Sequence, residues 1–274
     1  MRSLSALCRG VILMSAVLSF CRDGWSAELP VGLLDRAGLL DRARQELRAA
    51  GLSEQEIRVR LKVVENVATL KAYYPHAGGG RPEYRNPEYW KLNQDDAYIP
   101  KGSATEAIRD LWRTTNGIRC AKLSALVMVK AMIDVADAKR LAELDQMLQG
   151  KVIPNGLPKQ GVGTLFTKPV PKKGDIFQTS ELLPGDEVWF KNPYFHRLSA
   201  AIQPKHVGEE GHHVFYLGGE KVMDMYSREA MSVEDFRKTF LHWKSVKIVS
   251  EQTHSKANPK EFQIMAVRRV IVEK

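Results

Sequence analysis

Ile118-Arg119-Cys120-Ala121-Lys122-Leu123 sets a cysteine where a loop gives way to an apolar helix. Asn116-Gly117 just upstream is a turn signal. Downstream, Leu123, Leu126, Val127, Val129, Met132 and Ile133 make a run apolar enough to be buried. A thiol on the first turn of a helix meets outward-pointing peptide N–H groups and the positive end of the helix dipole. Those conditions favour a thiolate and could hold the oxyanion of an acyl-transfer intermediate. A small buried core cysteine is the plainer reading of one such residue, so the chemistry depends on what else the chain supplies.

Cysteine catalysis needs a base to share the thiol proton and a third group to orient that base. The stretch His212-His-Val-Phe-Tyr-Leu217 predicts a strand opened by two histidines, with Gly218-Gly219 as a hairpin turn and Lys221–Met225 as the return strand. Strand alternation sends the two imidazoles to opposite faces, and Asp224 on the return strand can neighbour one of them. The candidate catalytic set is therefore Cys120 as nucleophile, His212 as base and Asp224 as orienting group, recognised by roles rather than by order in the chain. A one-residue slip of register would put His213 in place of His212. In the alternative without chemistry, Asp224 is a turn-facing strand residue and both histidines are solvated. Trp189, Tyr194 and Phe195 could wall a groove beside the set, although aromatics on strands commonly belong to the core.

The elements that must position these residues change character along the 274-residue chain. Two amphipathic helices are expected over 33–50 and from Ser53, where Ser53-Glu-Gln-Glu56 is a capping box. Ser103-Ala-Thr-Glu106 caps another helix, the Cys120 helix follows, and a further helical pattern runs to Gly150. Prolines and glycines then mark a long loop region. Pro184-Gly-Asp186 turns into a strand over 187–191, Ser232 caps a late helix, and 246–249 and 262–272 are read as the last strands. Helices followed by antiparallel strands argue an α+β fold. A breaker cluster at Pro75–Pro82 divides a helical hairpin over 28–77, an accessory segment or a brace, from a catalytic domain over 83–274.

Residues 1–27 combine Arg2 and Arg9 with an apolar run to Phe20 and small residues at Ser26 and Ala27, the pattern of a secretory signal peptide. Cys8 and Cys21 lie in that leader, so an exported mature chain would carry Cys120 as a thiol without an intramolecular partner. The formal charge of +9 is scattered, with no nucleic-acid motif beside it, and reads as a solvated surface. A lone mature cysteine excludes zinc–thiolate clusters, and His212-His213 alone make no metal site.

Several short motifs carry a resemblance. Asn86-Pro-Glu-Tyr-Trp90, Ser103–Leu111, Cys120-Ala121 with its helix, Pro184-Gly-Asp186, Phe190-Lys-Asn-Pro193 and Tyr216-Leu-Gly218 occur in the order found in the small transglutaminases of bacilli. The chain resembles that family over roughly 86–225. Two departures stand out: Arg119 replaces a Glu before the catalytic Cys, and His212-His213 replaces a catalytic Glu followed by Asn, with Glu209 and Glu210 as upstream substitutes. Over 212–224 the chain is also similar to cell-wall cysteine peptidases of the same papain-like superfamily, with Asp224 at the place of their third polar residue. The resemblance implies a papain-like core in which a cysteine helix packs on an antiparallel sheet. It implies a ping-pong acyl transfer from a protein glutamine to a lysine amine or to water, with no cofactor and no metal. The expected partners are protein substrates and the cell envelope rather than nucleic acid, for a monomeric enzyme; an exported cell-wall peptidase or amidase is the alternative.

Overall fold

The computed structural model describes residues 36–73, 85–92, 98–113, 116–118, 120–149, 167–206, 209–227 and 229–272. The leader, the boundary at Pro75–Pro82, Arg119 and the loop over 150–166 lie outside them. In chain order the elements are α1 (Arg36–Ala49), α2 (Glu54–Thr69), β1 (Ala72–Tyr73), β2 (Trp90–Leu92), β3 (Tyr98–Pro100), α3 (Ala104–Asp110), β4 (Asn116–Gly117), α4 (Cys120–Val135) and α5 (Ala138–Leu148). Then come β5 (Thr167–Pro169), β6 (Glu187–Lys191), β7 (Gly211–Gly218), β8 (Lys221–Met223), β9 (Ala230–Ser232), α6 (Val233–Thr239), α7 (Lys244–Thr253) and β10 (Ile264–Val270). The fold is α+β. Its main sheet runs in the order β5-β10-β6-β7-β8-β9, antiparallel at every pairing.

The capping residues stop and start helices as their side chains dictate. Ser53, Ser103 and Ser232 each accept from the peptide N–H three residues on, filling one of the orphan donors of α2, α3 and α6. The stretch 246–249, expected as a strand, is helical. Ser245, Val246 and Val249 fall at helical spacing, and that face of α7 is the buried one. Asn116-Gly117, expected as a turn, is extended instead, because its backbone pairs in parallel with Ala72 and Tyr73.

The sheet carries a different core on each face. Alternation along β7 sends Phe215 and Leu217 into an aliphatic core built by α2, α3, α4 and α5, and Val214 and Tyr216 into an aromatic core of Phe190, Phe236, Phe240 and Phe262. Helix α4 lies inside the first, with ten of its residues buried, which is why its sequence shows little amphipathic pattern. Each fully buried Leu or Phe stabilises by roughly 2–3 kcal/mol.

The described residues belong to one compact unit. The helical hairpin packs into the main core: Val59, Val63, Val64 and Val67 of α2 join the cluster around α4. Arg60, buried beside them, pairs with Asp186 of the Pro184-Gly-Asp186 turn at 2.9 Å, and Arg269 of β10 grips the same carboxylate at 2.9 Å. The α1 side chain of Glu46 accepts from the Gly219 N–H at 2.6 Å, where Gly218 and Gly219 adopt φ of +95° and +58° in the hairpin turn.

Candidate active site

Cys120 is the first residue of α4 and is partly exposed. The helix delivers its sulfur to the edge of β7, where the return strand β8 has already ended at Met223. There the sulfur is contacted by the peptide N–H groups of His213 and Ala121. The Tyr226 hydroxyl donates to the Ile118 carbonyl and pins the approach to the helix.

Burial pushes the thiol up, and the carboxylates of Asp224 and Glu187 push the same way; the two peptide N–H groups oppose them without prevailing, and the pKa stands at about 11. The resting sulfur is therefore a thiol. The helix terminus alone, expected to favour the thiolate, is outweighed by desolvation and by two nearby carboxylates.

Alternation separates the two imidazoles as expected. His212 turns towards the aromatic core, its ring 6.0 Å from Phe236 and 6.3 Å from Trp243. Its Nε2 meets Asp224 Oδ1 at 2.7 Å. Asp224 is buried; that burial raises its pKa, but the facing His212 and the N–H groups of Ser227 and Tyr226 overcome it and hold the carboxyl below its usual range. Asp224 thus lies within electrostatic reach of the sulfur and in hydrogen-bond contact with His212.

His213 points to the other face. Its Nδ1 lies 2.7 Å from Glu187 Oε1, although off the line that a ring N–H hydrogen bond requires. Glu187 is 2% exposed. Burial raises its pKa, but His213 and the Arg268 guanidinium outweigh that and bring it down to about 2. The Ser124 hydroxyl donates to it as well.

Of the expected groove aromatics, Trp189 is beside the site, its ring 6.5 Å from that of His213. Tyr194 and Phe195 are core residues instead. The buried Asn192 accepts from their peptide N–H groups and turns them inward, and the Tyr194 hydroxyl donates to Glu261 at 2.7 Å. Gly211, next to His212, has a role that spacing did not reveal. A Cβ there would lie 2.3 Å from the Phe190 carbonyl and 2.6 Å from the Trp189 indole nitrogen. Spacing did not reveal Glu187, Ser124 or Arg268 either, and the one available signal was an acidic residue opening a strand whose centre, Val188-Trp189-Phe190, is apolar. Among the described residues no group of His, Cys, Asp and Glu could hold a metal ion.

A family model described as protein-glutamine gamma-glutamyltransferase matches residues 48–226. The chain belongs to that family. Cys120, His212 and Asp224 all lie within the matched region, and the match begins inside α1, so the family's domain includes α2 as well. A protein-glutamine gamma-glutamyltransferase of Halalkalibacterium halodurans is 26% identical over 151 residues, covering 52% of this chain. The match spans about half the length of that relative, 46%. The transglutaminase from Geobacillus stearothermophilus, without its C-terminal extension, superposes with a TM-score of 0.55 over 80% of this chain and 95% of that one. At 15% identity that likeness is one of fold.

Proposed function

We propose that this protein is a thiol acyltransferase that joins protein glutamine and lysine side chains, with Cys120 as nucleophile, His212 as acid and base, and Asp224 as the group that orients His212. The observation that carries the reading is the aligned His212–Asp224 hydrogen bond beside a helix-start cysteine, in a chain of this family. With Nε2 engaged by Asp224, Nδ1 of His212 is the nitrogen that takes the thiol proton. The sulfur attacks the γ-carboxamide carbon, and the Ala121 and His213 N–H groups donate to the developing oxyanion. The imidazolium gives its proton to departing ammonia, leaving a γ-glutamyl thioester on Cys120. A lysine ε-amine then attacks the thioester carbonyl and loses a proton to His212, and the isopeptide forms as the thiol is released; water in place of the amine yields glutamate.

The resting thiol makes this a base-assisted attack rather than one by a preformed thiolate. Residues 1–27 serve as an export leader in this reading, which places the protein substrates at or beyond the cell envelope. The test is to incubate the protein and Cys120→Ala with a glutamine-rich acceptor and a fluorescent primary amine, following amine incorporation and ammonia release. Cys120-dependent incorporation is the expected result. Ammonia without incorporation would make the protein a deamidase. If neither occurs and peptidoglycan stem peptides are cut instead, the transferase reading is overturned in favour of a cell-wall peptidase.

A further inference from the structure

The Cys120 sulfur lies within electrostatic reach of two carboxylates, each paired with an imidazole, and the proposed reaction uses one of these pairs. The second, His213 with Glu187, is built more heavily than a spare base requires. Glu187 opens β6, is fully enclosed, and receives two N–H groups from Arg268 of β10, the hydroxyl of Ser124 and the close approach of His213 Nδ1. Ser124 stands four residues after Cys120, one helical turn along the same face of α4. One carboxylate therefore ties the first turn of the cysteine helix to β6, β7 and β10. It does so where the His213 peptide N–H meets the sulfur. Packing apolar side chains in place of a buried ion pair is often neutral or stabilising, so stability against that alternative gives little reason for this arrangement.

The geometry points to Glu187 as the positioning residue of the nucleophile: through Ser124 it sets the Cys120 turn against β7, and through His213 it steadies the strand whose N–H faces the sulfur. Arg268 holds the carboxylate in place. Glu187 touches no reacting atom in this role, and the inference rests on Cys120 being the nucleophile. Among the described residues, the charged and titratable groups around the sulfur include Asp224 after β8 and Glu187 on β6, with the histidines of β7 and Arg268 paired to them. The Glu187 charge opposes ionisation of the sulfur while its hydrogen bonds place it. Removing the charge thus produces two effects of opposite sign, an easier thiolate and a slower reaction.

The experiment uses the full chain and measures iodoacetamide alkylation of the Cys120 peptide by mass spectrometry across pH, which separates it from Cys8 and Cys21. In Glu187→Gln the alkylation midpoint is expected to fall by about one pH unit, while kcat for amine incorporation drops on the order of tenfold to a hundredfold with KM little changed. In Ser124→Ala, which keeps the carboxylate, the midpoint stays in place while kcat falls by roughly tenfold, and Ser124→Thr restores the rate. An unmoved or raised midpoint in Glu187→Gln overturns the inference, as does an unchanged kcat in Ser124→Ala. If Glu187→Gln does not fold, the Ser124 variants decide. If Cys120→Ala still incorporates amine, the reading of the reaction fails, whereas the alkylation midpoint of Glu187→Gln still tests the placement of the sulfur.

Discussion

The two faces of the central sheet are built from different materials. On one, aliphatic side chains surround α4, and the polar cluster of Ser124, Glu187, Arg268 and His213 sits at its start. On the other, stacked rings such as Phe240 and Phe262, with centroids 4.7 Å apart, form a wall against which His212 leans. The difference separates two tasks. The aliphatic face places a sulfur by holding backbone, while the aromatic face holds an imidazole by packing its ring and leaves a single hydrogen bond to Asp224 to set its orientation.

That contrast can be broken most directly at the histidines. His212→Ala is expected to lower kcat by on the order of a thousandfold, the range of a lost acid–base group, whereas His213→Ala, which keeps the peptide N–H at the sulfur, costs about tenfold. Equal losses in single-turnover kinetics would erase the distinction between the faces. Next in size, Phe240→Ala in the aromatic wall is expected to cost roughly 3–5 kcal/mol in urea unfolding without moving the alkylation midpoint of Cys120. Asp186→Ala, which leaves the buried Arg60 with Glu56 alone and takes the carboxylate from Arg269, should cost a similar 3–5 kcal/mol or so.

A pH titration sharpens the comparison further. Glu187 is held at about 2, well below the 4.5 of an ordinary glutamate. Its contribution, on the order of 3 kcal/mol, is therefore present above the unfolded-state value and is lost as the pH falls from about 4.5 towards 2. Acid unfolding followed by circular dichroism should be shallower in Glu187→Gln over that window. The thiol behaves in the opposite sense: its pKa is raised from 9.0 to about 11, so its contribution is lost as the pH rises through that interval. The smallest effect is expected at the edge of the aromatic face, where Ser232→Ala removes the cap of α6 and costs about 1 kcal/mol in the same unfolding measurement.

Local chemistry made much of this molecule legible. The serine caps act on N–H groups three residues away, and the 212–224 hairpin is announced by its glycines and its alternation, so both could be read from neighbouring residues. The site read worse where partners lie far apart in the chain. Ser124 and Glu187 are separated by 63 positions and Glu187 and Arg268 by 81, and no spacing rule joins them. Burial also overruled local preference. The β-branched run at 246–249 reads as a strand until the buried face at Val246 and Val249 shows it to be a helix. The acidity of Cys120 was misread for the same reason, since the helix start is visible in sequence but the carboxylates that surround it are not.

The height of that thiol pKa has a consequence for the protein's lifetime. At neutral pH a thiol titrating near 11 is ionised in roughly one molecule in ten thousand. Peroxides and disulfides react with thiolates, so the resting nucleophile is shielded from the oxidation ladder that inactivates acidic cysteines. In the proposed reaction its reactivity stays latent until a substrate carbonyl arrives and His212 takes the proton. A cysteine kept permanently ionised would be alkylated or oxidised by whatever it met first, whereas this one can wait.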